Sequence, residues 1–477
     1  MSDTRGLLDR ISAFRHRLES KSPAATEPPE SPAPAAAAEA EAFRQTLRQI
    51  TGSANVAEGP LPPQLTDRAR QVLQTAKELL DRQRIFTADP VFAGLSSTES
   101  DPLVAYHRET IAVIDSAVRM TQVLPDSPSV QLKLCDGLDG ILEIVKERLT
   151  VQERALGQRR ADLARIDRLA AVYAAMSQMR AVNLKPVVAL AEEILEDARQ
   201  TRPLRFLTAD PLSTRSYPGG VELLAPARFL AAHALNVAQV VARVVHLDYE
   251  WASRPLVPVL GALLMDCGMM RVPAEVLARS GPLTPDERRL VESHPQYGAE
   301  WVVRYVADAA ALADAIATHH ERADGTGYPV GLKGSTIPAL GRLLAAADVY
   351  AGMCADRPYR PGQDTRASLT DVLLLAEHGQ LDRDFAEYLV HLSFYPLGSV
   401  VELTDGRVGV VAANHPNRMD PRSPGRPVVA VLAEADGTLL PRPEHVDLSA
   451  SARGGILRTL PADRRRKVLG QRYPDLV

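Results

Sequence analysis

Cysteine is scarce: Cys135, Cys267 and Cys354 are the only three in 477 residues, and they lie far apart in the chain. Their scarcity excludes a disulfide-stapled secreted scaffold and a CxxC metal or redox motif, and points to a reducing cytoplasm. Long apolar runs are missing too. No stretch approaches the ~18 uncharged apolar residues of a spanning helix, and the start, MSDTRGLLDRISAF, lacks the apolar core of a signal peptide. The expectation is a cytoplasmic chain with no membrane span. Neither sign of charge dominates, since 55 Lys and Arg stand against 59 Asp and Glu. That balance argues against a chain coated with basic charge for DNA, RNA or anionic membrane. What is present, 45% hydrophobic and 24% charged residues, suits a globular chain with packing for about three domains.

Residues 4–20 place Leu7, Leu8, Ile11, Phe14 and Leu18 on one helical face, a short docking helix. The Pro/Ala/Glu stretch 21–41 has almost nothing to bury and reads as a disordered linker, so 1–60 form one segment. A helical input or scaffold region is expected over 61–200. It starts near Thr66, with Ala69, Val72, Leu73, Ala76, Leu79 and Leu80 at helical spacing, and continues with a second helix over about 103–123. Over about 129–182, Leu138, Leu142, Val145, Leu149, Leu156, Leu163, Ile166, Ala170 and Tyr173 recur on four- and three-residue steps, interrupted at Gln152 and Arg159. Such a seam serves a coiled coil or an antiparallel bundle. Packing within the chain is favoured, with a homodimer or a signalling partner held through these helices as the alternative. Pro186 forces a break before a helix at 187–200. A mostly helical domain spans 205–395. After it, β-branched runs at Ser399–Leu403, Val408–Val411 and Val428–Leu432 alternate with turn signals at Asp405-Gly406, Asn417 and Asp436-Gly437. They predict a small β extension over 396–455 and a tail over 456–477.

Chemistry concentrates in the central domain. His233, Asp266, His294, His319, His320 and Asp348 follow one another at steps of about one helix plus its connection, so successive helices can bring them to one bundle core. Imidazole and carboxylate donors without a thiolate cluster suit iron, manganese or zinc bound for hydrolysis. Two such ions sharing a carboxylate clamp a phosphate and generate a nucleophile. A lone histidine on an apolar helix is usually a hydrogen-bonded core residue, but adjacent histidines followed by Glu321 and DGTGYP resist that explanation. The loop Asp324-Gly325-Thr326-Gly327-Tyr328-Pro329 follows no strand, which rules out a P-loop or a dinucleotide fingerprint. Its glycines let the backbone turn tightly beside the paired histidines. Arg357 and Arg360, shortly after Asp348, either grip phosphate oxygens or lie on a solvated loop.

The segment HHERADGTGYPVGLKGSTIPALGRLLAAADVY, with the following RPYR and the upstream LARSGPLTPDERRLVESHPQYGAEWV, resembles the HD-GYP domains, a branch of the HD superfamily of metal-dependent phosphohydrolases. The likeness covers about 226–395, and the terminal β segment resembles the extension that often follows such domains. It implies a mainly α fold: an HD-superfamily helical bundle, preceded by the helical or coiled-coil region and closed by the β module. It further implies hydrolysis of cyclic di-GMP at a centre of two, sometimes three, metal ions, usually iron or manganese; for this chain one or two divalent ions are expected. By position, His233, Asp266, His294, His319, His320 and Asp348 match the metal ligands, with Asp266 bridging. Asp324, Gly325, Gly327, Tyr328 and Pro329 match the naming loop. Asp266, Asp324, Arg357 and Arg360 are the catalytic candidates, the two arginines at the phosphate end.

The chain departs from the family within one short motif. The HDxGK stretch reads Met265-Asp266-Cys267-Gly268-Met269, so a ligand histidine has become Met265 and a phosphate-binding lysine has become Met269. A thioether is a poor ligand for iron or manganese, and the second change removes a positive charge. Phe229 stands one turn before His233, where three-metal members carry Glu, and DVYAG at 348–352 lacks another acidic residue of the pattern. The half of the centre built on His294, His319, His320 and Asp266 is intact; the other keeps His233, Asp266 and Asp348. The expectation is a weakened phosphodiesterase. Alternatives are a catalytically inactive domain that senses nucleotide or binds a protein, and a hydrolase of another phosphate ester.

Overall fold

The computed structural model describes residues 63–95, 101–121, 128–200, 202, 204–212, 215–216, 222–223, 226–357, 360–390, 392, 395, 397–413, 425–450, 454–470, 472–473 and 476. The docking helix at 4–20, the linker at 21–41 and the turn at Asn417 lie outside the described residues. The chain divides into two compact units: Met1–Arg160 with Leu432–Pro443 and Pro461–Val477, and Ala161–Val431 with Glu444–Leu460.

In the first unit, helix α1 (Pro63–Thr87), the short α2 (Pro90–Leu95) and α3 (Pro102–Thr121) precede α4 (Pro128–Ser177), which is one unbroken helix of 50 residues. Val72, Ala76 and Leu79 of α1 pack with Ile114 and Ala117 of α3 and with Leu138, Leu142, Val145 and Leu149 of α4. The apolar seam of α4 is therefore buried here by the chain's own helices. Gln152, which interrupts the seam, is fully buried; its amide donates to Thr110 Oγ1 at 2.8 Å and accepts from Gln83 at 3.3 Å. Arg159, the other interruption, pairs with Asp101 at 2.6 Å.

The second unit begins with the end of α4, whose Ile166, Ala170 and Tyr173 join one large core with Val187, Leu190 and Ile194 of α5 (Lys185–Arg199). Pro186 sits inside the first turn of α5 rather than before it, where its missing N–H costs no helical bond. Strands β1 (Arg215–Ser216) and β2 (Glu222–Leu223) form a small antiparallel pair. Helix α6 (Ala227–Val244) follows. With the turn after it, Ala227–Leu247 is long and apolar enough to cross a membrane by length and composition, yet 78% of its apolar 18-residue window is buried in the protein. The segment was not expected to reach that threshold; a helix apolar all round and surrounded by protein is a core helix. Then come α7 (Leu256–Leu264), α8 (Ala274–Leu277), α9 (Pro285–Glu292), α10 (His294–Tyr305) and α11 (Ala310–Thr318). The helical part ends with α12 (Ala339–Cys354), α13 (Thr365–Glu377) and α14 (Arg383–Val390).

The chain closes on a five-stranded sheet of β3 (Val400–Leu403), β4 (Val408–Ala413), β5 (Val428–Ala433), β6 (Leu439–Asp447) and β7 (Ile456–Thr459), in the order β6-β5-β4-β3-β7. Strand β3 is antiparallel to both β4 and β7, with a register shift between Glu402 and Leu403. Strand β7 lies in the segment expected as a tail, and helix α15 (Ala462–Leu469) follows it. The fold is mainly α with a small terminal sheet.

Candidate metal centre

Each candidate ligand stands at a defined point of a helix. His233 is buried in α6. Asp266 leaves the end of α7 and opens the 3-10 turn Cys267–Arg271. His294 is the first residue of α10, His319 caps the end of α11, His320 follows it, and Asp348 lies within α12. Gly268 brings the turn against α10: a Cβ there would stand 2.1 Å from the His294 carbonyl oxygen. Only glycine lets Asp266 approach His294 so closely.

Asp266, His294, His319 and His320 each offer a ligand atom, and these atoms all lie within 4.8 Å of one another. His294 Nδ1 donates to the Val291 carbonyl and His319 Nδ1 to the Ile316 carbonyl, each at 2.7 Å. A carbonyl only accepts, so both Nδ1 atoms carry the proton and both Nε2 atoms present lone pairs. Those Nε2 atoms are 3.3 Å apart and lie 3.3 and 3.7 Å from Asp266 Oδ1. Acceptors converging in this way call for a cation between them. Backbone carbonyls that accept from the other ring nitrogen and fix the ring orientation are a hallmark of histidine ligands. Burial works to raise the Asp266 carboxyl, but the His294, His319 and His233 rings around it outweigh that effect and hold it well below the usual range. Burial, then the neighbouring His319, keeps His320 neutral and fit to ligate. The donor set fits one divalent ion.

The remaining two candidates bond to each other. His233 Nε2 is 2.8 Å from Asp348 Oδ1 and 3.7 Å from Asp266 Oδ2. Arg357 Nη2 lies 3.2 Å from His233 Nδ1, and its guanidinium stands over the Phe229 ring, 5.4 Å from the centroid. A guanidinium has only donors, so Nδ1 accepts and Nε2 carries the proton toward Asp348. Burial opposes ionisation of Asp348, yet the hydrogen bond from His233 Nε2 and the neighbouring His320 ring hold its carboxyl low. Met265, in place of the family's histidine, is fully buried in the apolar core; Met269 packs against the same core. Neither is in the donor cluster. The Cys267 thiol faces the Gly298 carbonyl at 3.8 Å, and burial pushes its pKa up, so it stays a neutral core side chain.

The glycine-rich loop wraps the paired histidines. Gly325 has φ of 85°, and a Cβ on Gly327 would stand 2.3 Å from the Arg322 nitrogen. Tyr328 stacks on His320 at 4.7 Å between ring centroids, with Pro329 following across a cis bond. Burial pushes the Tyr328 hydroxyl up, so it remains a neutral donor. Asp324 is exposed and accepts from Thr326 N at 2.8 Å and Oγ1 at 2.7 Å; the structure does not bring it to the histidines. Arg360 donates to the Gly352 and Met353 carbonyls at 2.7 and 3.1 Å, which caps the end of α12. Sequence reasoning gave no role to Glu321. Its buried carboxylate accepts from the N–H groups of Val330 (2.7 Å), Gly331 (3.0 Å) and Leu332 (2.9 Å), fixing the loop. Its adjacency to the paired histidines was the only available signal.

Residues 221–385 match the model of the HD domain. The chain is similar to a cyclic di-GMP phosphodiesterase of Pseudomonas aeruginosa, 39% identical over 158 residues, 33% of this chain and 37% of that protein. It is likewise similar to a cyclic di-GMP phosphodiesterase response regulator of Xanthomonas campestris pv. campestris, 37% identical over 126 residues, 26% of this chain and 32% of the relative. A 3'3'-cGAMP-specific phosphodiesterase of Vibrio cholerae is 36% identical over 170 residues, 35% of this chain and 30% of the relative. The chain thus spans about a third of the length of these relatives.

Proposed function

We propose that this chain binds a cyclic dinucleotide such as cyclic di-GMP and hydrolyses its phosphodiester, slowly, at a centre that holds one iron or manganese ion. The observation that carries this reading is the donor set Asp266, His294, His319 and His320 beneath the Asp324–Pro329 loop. The names of the relatives support the substrate class. When bound, the ion supplies Lewis-acid polarisation of a phosphoryl oxygen and activation of water. Asp266 and the three histidines hold it, and Tyr328 shields one face of His320. Arg357 brings positive charge beside His233 and Asp348, where a phosphate oxygen can be received. Arg360 acts from the end of α12 by fixing the turn that carries Arg357, since Arg357 N donates to the Arg360 carbonyl at 2.8 Å. Met269 supplies no charge to the phosphate, which accounts for slow turnover. The helices before the HD domain serve in this reading as an input or scaffold module, open to a protein partner or a second copy.

A second reading, a domain that binds nucleotide without turnover, is favoured by the burial of Met265 in the apolar core. Metal analysis and hydrolysis assays decide between them. They use cyclic di-GMP, 3'3'-cGAMP and a simple phosphomonoester, with wild type, His319→Ala and Met265→His/Met269→Lys. Turnover of a cyclic dinucleotide that His319→Ala abolishes is expected. An inert wild type that the double substitution activates supports the non-catalytic reading, and phosphomonoester turnover alone overturns the substrate class.

A further inference from the structure

The single carboxylate of the donor cluster sits where a helix ends. Helix α7 stops at Leu264, and the chain leaves it through Met265 into the 3-10 turn that Asp266 opens. The last carbonyls of a helix have no intrahelical donor and must find another. Met265 N serves Gly261 O at 2.9 Å. The Leu263 carbonyl is served from outside: Tyr173 OH donates to it at 2.6 Å. Tyr173 is fully buried, and its hydroxyl is held neutral by burial first, with the nearby Asp266 carboxylate acting in the same direction. The bond is thus a permanent donor placed three residues before Asp266. It comes from α4, which lies upstream of the matched residues 221–385. The same helix makes a second buried contact with the centre's scaffold: Asp167 pairs with Arg228 at 2.8 Å, and Arg228 lies on α6, the helix that carries His233.

We infer that Tyr173 is a positioning residue for the metal centre: by capping the end of α7 it fixes the turn that aims Asp266 at His294 and His319. Through it the long helix α4 sets the geometry of the site. The inference rests on the metal reading of that cluster. A displacement of α4 along or about its axis withdraws the hydroxyl from Leu263 and loosens Asp266, so a helix upstream of the domain controls how well the ion is held.

The test uses the full chain titrated with Co²⁺, whose visible absorption reports ligand geometry, beside thermal melting. Four proteins are compared: wild type, Tyr173→Phe, Ile166→Val as a core change on the same helix, and His319→Ala. Tyr173→Phe keeps the ring and removes only the hydroxyl. Its expected effect is about 10-fold weaker cobalt affinity, the size seen when a residue supporting a metal ligand is removed, with an altered absorption band. Ile166→Val is expected to lower the melting temperature while leaving affinity and band unchanged. Tyr173→Phe with the wild-type affinity and spectrum, whatever its melting temperature, overturns the inference and leaves the metal reading standing. A wild type that takes no cobalt, or His319→Ala that takes it equally well, overturns both.

Discussion

The Glu321 carboxylate gathers three backbone N–H groups of the loop that follows Pro329, and no other described side chain bonds those three groups. Glu321→Gln keeps the shape but turns one acceptor into an NH₂ facing donors. The substitution is expected to cost about 2 kcal/mol and to lower the melting temperature by ~4–8 °C, with proteolysis near Val330 rising in step. An unchanged melting temperature would show that the loop is held elsewhere. Residue identity and spacing made His294, His319, His320 and Asp266 legible, because few side chains ligate metal and these recur at the period of a helix bundle. The same reading grouped Asp324 and Arg360 with them, whereas Asp324 holds a turn and Arg360 a helix end. Carboxylates and guanidinium groups bond backbone as readily as ligands, and one-dimensional spacing cannot tell those uses apart. Arg357 has its partners, His233 and Phe229, more than a hundred positions away. Losing it frees His233 Nδ1, and Arg357→Ala is expected to weaken nucleotide binding, measured by titration with cyclic di-GMP, while metal content holds at the wild-type level.

At the scale of elements, the long seam of α4 was readable as helix because its apolar period persists past Gln152 and Arg159. Those two positions looked like breaks, yet Gln152 joins Thr110 and Gln83 in a buried network and Arg159 pairs with Asp101. Periodicity marks which face is buried and is silent on polar groups that find partners inside. Strand β7 was missed for the opposite reason: four residues, Ile-Leu-Arg-Thr, are too few to establish a period. In the first unit His107 of α3 lies against the Phe86 and Phe92 rings, with centroids at 5.4 and 4.8 Å. Burial, then the nearby Arg108, lowers its pKa to about 4 from the ordinary 6.5. The unfolded chain therefore takes up this proton first as pH falls. Stability is complete above about pH 6.5 and is lost progressively toward pH 4. His107→Leu is expected to flatten the pH dependence of the melting temperature in that window relative to wild type. Equal slopes for the two proteins would place the acid sensitivity in other groups.

Across the whole molecule, the two units differ in what holds them. The first is closed by apolar seams with a few buried polar bridges, while the second surrounds a cluster of histidines and carboxylates whose lone pairs converge. Such a cluster carries its own repulsion until a cation is supplied, and in the proposed reading a bound ion completes the second unit. A ligand that binds only the folded state stabilises it by about 2.7 kcal/mol at a hundredfold excess over its dissociation constant. Added Mn²⁺ is thus expected to raise the melting transition of wild type, and a chelator to lower it, with no response in His319→Ala. Hydrogen exchange locates the effect. Slower exchange on adding Mn²⁺ is expected at Met265–Met269, His294 and His319–Glu321, the backbone that presents the ligands, and not along α1. Protection that rises equally in α1 would mean that the ion acts through general association with acidic surface. Protection confined to the ligand-bearing turns, together with its loss in His319→Ala, identifies the cluster as the site that this fold is organised to hold.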